Sequence, residues 1–314
     1  MEIKDGEYRF ARLSDNNLSD LVLLYKSAFK SNVSADFFKN KFETTFTGIT
    51  HLGFLAYAND NTPSAFYGVF PCFVELQGRK ILTAQSGDTM TDPQHQGKGL
   101  FTKLARMTYE LAGNNGVKFI FGFPNKNSYP GFTKKLNWTH QENIRTYIFK
   151  TNTVPLIKVA KKLQLARMYE SYALAVFRKY ISGSRPFENS VIDSESGGII
   201  HDAAFFKYKT YTRNFIVELE GVRFWLKLDG KLWIGDVERT SMEKFNKALQ
   251  KLLRLCFSAG CTELTWNLSP GSYWDVLLQK KYRSSDGLPI GFLDLGNETN
   301  LPKVKFTGGD FDTF

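Results

Sequence analysis

The chain has 314 residues and a formal net charge of +10, and 42% of its residues are hydrophobic. This length suits one large domain or two of ordinary size, with enough apolar residues for well-packed cores. We see no secretory signal and no run of the ~20 apolar residues that a membrane span needs. The cysteines and histidines follow no disulfide or metal-ligand spacing. We therefore expect reduced thiols, a cytoplasmic protein and no bound metal.

The positive charge is spread along the chain. The sequence has no arginine-rich run and no nucleic-acid reader motif, so we do not expect a nucleic-acid partner. Positive charge suits polyanionic small ligands equally well, such as a coenzyme or a nucleotide-sugar that carries several phosphate charges.

Apolar periodicity in the first part of the chain indicates an alternation of strands and helices. Apolar side chains three and four residues apart predict a helix, and alternating ones predict a strand. The sequence Gln77-Gly78-Arg79 indicates a hairpin between two long strands. By these rules we predict strands at 7–13, 51–58, 64–76 and 80–91, and helices at 17–29 and 35–46.

The sequence Gln94-His95-Gln96-Gly97-Lys98-Gly99-Leu100 connects the last of these strands to a helix predicted at 97–112. Glycines at a helix start let an anion approach the backbone, where first-turn N–H groups and the helix dipole attract it. The spacing excludes a Walker loop, and Thr102 replaces the third glycine of a dinucleotide fold. The pattern therefore indicates a pyrophosphate site, although such a glycine pair is also common as a plain tight turn.

The next block of sequence has a strand at 117–123, the run Pro124-Asn125-Lys126-Asn127-Ser128, a short helix, Trp138 and a strand at 143–150. The two blocks, in this order and at this separation, resemble the acyl-CoA signature of the GCN5-related N-acetyltransferases (GNAT superfamily). The resemblance implies transfer of an acyl group from acetyl-CoA or another acyl-CoA to a primary amine. It also implies an α/β fold of the α+β type, in which a mixed, mostly antiparallel sheet is flanked by helices.

The resemblance also implies which residues hold the cofactor. In this superfamily, amides of the glycine-rich loop bind the pyrophosphate and the end of the preceding strand pairs with the pantetheine arm. The later block, which corresponds here to residues 124–128 (the Asn block), contacts the far side of the cofactor. The cofactor-binding residues that match these positions are Thr89, Met90, Thr91, His95, Gln96, Gly97, Lys98, Gly99, Leu100, Asn125 and Ser128.

The reaction needs a neutral amine, because an ammonium with a pKa near 10 cannot attack a thioester. Family bases often lie upstream on the strand before the glycine loop, where this chain has Thr83 and Gln85. Asp88 is the nearest carboxylate, and a bulge near Gly87 would turn it toward the same face as Gln85. Capping of a turn or pairing with a lysine is the alternative role for Asp88.

The departing thiolate needs a proton, which many relatives supply from a tyrosine on the short helix after the Asn strand. The matching position here is Thr133, which departs from the family pattern. Tyr129 lies one helical turn earlier on the same face, so we select it as the candidate acid. Packing of Tyr129 in the core is the alternative.

Residues 151–181 are predicted to form a basic amphipathic helix. We expect this helix to pack between lobes with its lysines in water; binding to a membrane surface is the alternative. Beyond it the order of elements resembles that of the first half. We predict strands at 214–220, 223–228, 231–237, 262–267 and 288–295, and helices at 240–259 and 273–281, the first of them opened by a capping box of Thr240 and Glu243.

This weak repeat predicts two GNAT-like lobes. The predicted domains are an N-terminal lobe at 1–150 with the acyl-CoA site, a helical linker at 151–195, and a degenerate C-terminal lobe at 196–314 that binds the acceptor. The second lobe has no glycine at its helix start, and Asp236, Glu238 and Glu243 there would repel a diphosphate. We therefore predict a single cofactor site.

The motifs do not name the acceptor amine. Aromatic rings can stack on a base or a sugar, and we select Tyr67, Trp233 and Trp266 as candidate substrate contacts. The run from Gly122 to Phe132 also resembles bacterial acyltransferases of surface-polysaccharide pathways, some of which acylate nucleotide-linked amino sugars. We therefore expect a dTDP- or UDP-linked amino sugar. The alternatives are an aminoglycoside, a polyamine, a protein amine, an aminoacyl-tRNA reaction and a non-catalytic CoA-binding module; the oligomeric state stays open.

Overall fold

The computed structural model describes residues 2–183, 186–296 and 301–314. Its strands are β1 (Glu2–Asp5), β2 (Tyr8–Arg12), β3 (Leu52–Tyr57), β4 (Pro63–Leu76), β5 (Arg79–Thr91), β6 (Phe119–Gly122), β7 (Thr139–Lys150), β8 (Gly198–Ile199), β9 (Asn214–Leu219), β10 (Val222–Asp229), β11 (Lys231–Val237), β12 (Glu263–Leu268) and β13 (Ser284–Asp294). Its α-helices are α1 (Leu18–Phe29), α2 (Ala35–Phe42), α3 (Leu100–Asn114), α4 (Tyr129–Lys135), α5 (Leu156–Lys162), α6 (Ala166–Phe177), α7 (Ala203–Tyr208), α8 (Met242–Ser258) and α9 (Tyr273–Leu278). The predicted α+β class with mostly antiparallel strands is confirmed.

The first of two compact units spans Met1–Gln141 and Leu288–Pro302. Strands β1 to β5 form an antiparallel series, β6 lies parallel to β5, and the end of β13 pairs with β6. Side chains alternate across β4, so that Phe66 and Phe70 pack with α1 and α2 whereas Tyr67 and Val69 pack with α3. This two-sided core fixes the start of α3 against the end of β5.

The second unit spans Glu142–Gly287 and Lys303–Phe314. Strands β9, β10 and β11 form an antiparallel meander, β12 lies parallel to β11, and β7 pairs antiparallel with β12. Helix α8 covers this sheet with a stripe of buried side chains at Phe245, Leu249 and Leu252. Their three- and four-residue spacing is the helical period that predicted the element.

The units differ from the predicted domain boundaries by two strands. Strand β7, expected to close the first lobe, pairs with β12 from Arg145 to Lys150. The end of β13, expected to close the second lobe, pairs with β6 from Gly291 to Asp294. Periodicity predicts that a segment is a strand, but not which sheet edge offers it hydrogen-bond partners.

Three local predictions were wrong in detail. Residues 151–181 form α5 and α6 with a break at Gln164, whose φ of +60° ends a helix. Helix α3 begins at Leu100 and not at Gly97. Ser241, and not Thr240, caps α8, because the Ser241 hydroxyl accepts a hydrogen bond from the amide of Lys244. In the described part of the chain no helix is long and apolar enough to cross a membrane.

Candidate active site

Strand β5 carries a bulge just before its end. Gly68 of β4 faces Gly87, whereas Phe66 faces Met90, so β5 has one extra residue between these pairs. Asp88 lies in the bulge with φ +50°, a left-handed conformation that is uncommon for a residue other than glycine. A bulge bends its strand and leaves the extra residue out of the ladder. The bulge that Asp88 would need in order to face the same side as Gln85 is therefore present next to Gly87.

The glycine turn before α3 has an open, exposed backbone. Gly97 and Gly99 have φ values of +77° and +76°, and a Cβ atom added at either would meet no atom within 4 Å. The glycines are thus required by backbone conformation, and the space beside them is free. Gly99 is the N-cap of α3 and has no side chain with which to cap the first turn. Such a helix start is a favourable site for an anion.

Two side-chain contacts hold the segment before the glycines. Asp92 accepts hydrogen bonds from the Gln94 amide at 2.8 Å and from the Ser27 hydroxyl. The Tyr8 hydroxyl lies 2.8 Å from His95 Nδ1, and the two rings meet edge to face. Burial raises the pKa of Asp92, but its hydrogen bonds outweigh this effect and lower the pKa below its usual value. The loop is therefore fixed at both Asp92 and His95 before the chain reaches Gly97.

Asp88 forms a largely buried ion pair. Lys41 Nζ lies 2.8 Å from Asp88 Oδ1, and the two side chains are 3% and 13% exposed. The same ammonium lies 4.7 Å from the centre of the Phe70 ring. The structure thus gives Asp88 the alternative role, pairing with a lysine. This ion pair engages the carboxylate that a general base would use.

The predicted Asn block forms the turn that starts α4. Asn125 Oδ1 accepts hydrogen bonds from the amides of Asn127 at 2.9 Å and Ser128 at 3.1 Å. Tyr129 is the first residue of α4, and its half-buried ring lies edge-on to His140 with 5.7 Å between centroids. The side chain is therefore not enclosed in the core. Thr133, at the family's usual tyrosine position, donates its hydroxyl to the Tyr129 carbonyl at 3.0 Å.

The predicted substrate contact Tyr67 lies inside the first unit. It has no exposed surface, and its hydroxyl lies 2.6 Å from Ser86 Oγ and 2.9 Å from the Tyr109 hydroxyl. Trp138 Nε1 donates to Tyr109 at 3.0 Å and completes the buried network. Burial holds the pKa of Tyr67 well above its usual value. These contacts make Tyr67 part of the core and exclude it from stacking on a substrate in this conformation.

The two predicted tryptophan contacts belong to the second unit and differ in exposure. Trp266 is fully buried and packs against Phe245 and Trp274, which excludes it from the surface for the same reason as Tyr67. Trp233 on β11 is half-buried, and Lys231 Nζ lies 4.3 Å from the centre of its ring. Of the two, only Trp233 keeps surface that a ligand could contact.

The helix start of the second unit differs chemically from that of α3. Asp236 is fully buried, where it accepts hydrogen bonds from the Ser190 amide at 2.9 Å and the Ser190 hydroxyl at 2.5 Å. Asp236 therefore does not face a ligand at the start of α8, as we had predicted that it would. The Ser241 hydroxyl already caps the first turn of α8. Within the described ranges, no group of three or more His, Cys, Asp or Glu side chains could hold a metal ion.

Comparison with known proteins connects this geometry to a family. Residues 9–141 match the family model described as an acetyltransferase (GNAT) domain. No curated protein matches the sequence. These matched residues contain the bulge, the glycine turn and the Asn block.

Solved structures with the same fold cover nearly the whole chain. A GCN5-related N-acetyltransferase from Kribbella flavida is 13% identical with a TM-score of 0.57, over 92% of this chain and 71% of that one. A probable N-acyltransferase from Enterococcus faecalis is 14% identical with a TM-score of 0.62, over 95% and 75% of the two chains. The Saccharomyces cerevisiae N-myristoyltransferase, solved with bound myristoyl-CoA, is 10% identical with a TM-score of 0.56, over 93% and 80%.

The predicted enzyme class and the predicted acyl-CoA donor are thereby confirmed. Residues 9–141 match a GNAT acetyltransferase domain, and this match supports an N-acyltransferase enzyme that uses an acyl-CoA.

Proposed function

We propose that this enzyme binds its acyl-CoA at the glycine turn before α3 and acylates the amino group of a dTDP- or UDP-linked amino sugar. The observation that carries the cofactor site is the exposed start of α3, where two glycines in left-handed conformations leave open space beside the first turn. This start fits a diphosphate, because backbone N–H groups and the helix dipole favour negative charge. Lys98, exposed within the turn, adds a cation.

Each part of the loop has a separate task in this proposal. The amides from His95 to Leu100 hold the diphosphate, and the backbone of Thr89, Met90 and Thr91 guides the pantetheine arm. Asn125 and Ser128, at the start of α4, contact the side of the cofactor that faces away from the glycine loop. Bound acyl-CoA supplies the thioester whose acyl group passes to the amine with release of the thiol.

Two side chains handle protons in this proposal. Tyr129, half-exposed at the start of α4, gives its hydroxyl proton to the departing sulfur and is reprotonated by solvent. Asp88 at the bulge accepts a hydrogen bond from the attacking amine and orients it. Because Lys41 pairs with Asp88, we assign the final loss of the amine proton to solvent. An amino sugar with a lowered pKa needs little further help.

The charge of the first unit supports an anionic acceptor. A cavity of about 470 Å³ is lined by Leu23, Lys26, Ser27, Lys30 and Asn32. Because Ser27 donates a hydrogen bond to Asp92, this cavity adjoins the beginning of the glycine loop. Two lysines four residues apart would attract the diphosphate of a nucleotide-sugar and repel a polyamine.

A thiol-release assay with acetyl-CoA and a panel of amines tests this proposal. We expect the highest kcat/KM with dTDP- or UDP-amino sugars, and lower values with aminoglycosides and polyamines. The Lys26→Ala/Lys30→Ala variant should raise KM for the nucleotide-sugar and leave KM for acetyl-CoA unchanged. The exposed Lys39→Ala variant is the matched control. A higher kcat/KM with a polyamine than with any nucleotide-sugar would contradict the proposed acceptor.

A further inference from the structure

Helices α5 and α6 of the second unit, together with the residues that flank them, present apolar side chains to solvent. Val154, Leu163 and Met168 are 61%, 60% and 68% exposed. Val159, Leu165 and Tyr172 are also exposed. We name these six side chains, with Phe257, the α5–α6 surface. Exposed apolar side chains are ordinary when scattered singly, but a contiguous set marks an interaction site.

Two hydrogen bonds connect the residues around α5 and α6 to the end of α8. The Thr153 hydroxyl donates to the Phe257 carbonyl at 2.9 Å, and the Tyr172 hydroxyl donates to the Ser258 carbonyl at 2.8 Å. Phe257, itself 55% exposed, therefore lies close to the segment that precedes α5 and to Tyr172 of α6. The α5–α6 surface thus continues onto α8.

The exposed side chains are not needed for packing within the unit. The opposite face of these helices is buried in the core through Ile157, Tyr169, Ala173 and Phe177. We expected the amphipathic segment to pack between lobes with its lysines in water. Within the second unit, one apolar face of the segment is packed and a second apolar set remains exposed.

The segment is also strongly basic. Residues 151–181 contain six lysines and arginines and one acidic residue, Glu170. Arg213 forms an ion pair with Glu170 and offsets its charge. Lys158, Lys161 and Lys162 are exposed among the apolar side chains. Charge of one sign therefore surrounds the α5–α6 surface.

This combination identifies the kind of partner. A symmetric contact between two copies of the surface would bring lysines of equal charge together. An anionic lipid surface instead complements the lysines, while the apolar side chains enter the boundary between headgroups and acyl chains. We propose that the α5–α6 surface docks the enzyme onto bilayers that contain anionic lipids.

Sedimentation of the full-length protein with lipid vesicles tests this proposal. We expect binding to phosphatidylcholine vesicles that contain about 30% phosphatidylglycerol, and little binding to phosphatidylcholine alone. Raising the salt concentration from about 0.1 M to about 0.5 M should weaken binding by screening. Each lysine near an anionic surface contributes about fivefold to the partition constant, so Lys161→Ala/Lys162→Ala should lower it about 25-fold. Leu163→Ser/Met168→Ser should also lower it.

Matched variants separate this surface from general charge and hydrophobicity. Lys244→Ala/Lys280→Ala removes two exposed lysines, and Val276→Ser removes one exposed apolar side chain, all outside the α5–α6 surface. These variants should bind vesicles like the wild type, and all variants should retain thiol release with acetyl-CoA. Equal binding to neutral vesicles, no binding at all, or equal losses in the control variants would overturn the proposal. A wild-type dimer that Leu163→Ser/Met168→Ser dissociates would instead assign the surface to self-association.

Discussion

Replacement of Gly99 by aspartate should weaken acyl-CoA binding while leaving the fold intact. Gly99 is the N-cap of α3, and no atom lies within 4 Å of a Cβ added there, so the new side chain has room. Its carboxylate would occupy the space that we assign to the diphosphate. Any loss of CoA affinity in this variant therefore reports the added negative charge and not a steric clash within the protein.

The expected magnitudes follow from Coulomb's law and from the backbone conformation of Gly99. Two like charges about 5 Å apart at an effective dielectric constant of about 20 repel by about 3 kcal/mol, which weakens binding by more than about 100-fold. The φ of +76° at Gly99 costs an aspartate about 1 kcal/mol of stability. A negative charge at a helix start returns about 0.3–1 kcal/mol. The free energy of unfolding should therefore stay near that of the wild type.

The assay is calorimetric titration with CoA, together with chemical denaturation. Gly99→Asn is the matched control, since it has nearly the same shape and the same backbone strain without the charge. We expect the Asn variant to bind CoA more than about 100-fold more tightly than the Asp variant, which corresponds to the charge repulsion of about 3 kcal/mol. Equal affinities of the two variants would refute the electrostatic reasoning, and wild-type affinity in Gly99→Asp would refute the location of the site.

Three further predictions concern proton transfer, a buried ion pair and pH. Tyr129→Phe should lower kcat by about 100-fold with little change in KM for acyl-CoA, as expected for loss of a general acid, and an unchanged kcat in steady-state assays would remove Tyr129 from the mechanism. Lys41→Met should destabilise the protein by about 3 kcal/mol in urea denaturation, because it removes the cation that pairs with the Asp88 carboxylate. Adding Asp88→Asn should recover part of this loss, whereas additive losses of unfolding free energy in the double variant would contradict the coupling. Burial raises the pKa of Asp236 from 3.8 to about 6, so the folded state binds this proton more tightly than the unfolded state does. The free energy of unfolding should therefore fall by up to about 3 kcal/mol as pH rises from about 4 to about 6. If the free energy of unfolding of the wild type falls no more steeply with pH than that of Asp236→Asn, this prediction is wrong.

The parts of the site that are close in sequence were predictable. The hairpin between β4 and β5, the glycine turn and the start of α4 each depend on residues within a few positions of one another. Gly97 and Gly99 mark left-handed conformations, and Asn125 marks a turn, because local backbone geometry selects these residue types. The bulge at Gly87 was considered only as the condition under which Asp88 could face the same side as Gln85, and the local sequence did not establish it.

The supporting contacts were not predictable because their partners are distant in sequence. Lys41 and Asp88 are 47 residues apart, Ser27 and Asp92 are 65 apart, and Tyr8 and His95 are 87 apart. The burial of Lys41 could not be predicted, because a charged residue on a helix is normally expected to face water. In the structure Lys41 lies on the buried face of α2, next to Phe38. The pairing of β7 and β13 was missed for a related reason: an alternating pattern does not specify its neighbouring strand.

Aromatic residues gave the weakest guide to substrate contacts. Large rings fill cores as well as binding sites, and Tyr67 and Trp266 are fully buried. Their burial depends on how helices cover the sheet, which the local sequence does not encode. Trp233 differs because its neighbour Lys231 holds a cation over a half-exposed ring.

A crystal structure of the enzyme with CoA tests the central claim most directly. We predict that the diphosphate oxygens accept hydrogen bonds from backbone amides between Gly97 and the first turn of α3, with no movement of the Asp92 and His95 contacts. A diphosphate bound at another helix start, or a glycine turn filled by protein side chains in the complex, would contradict the account.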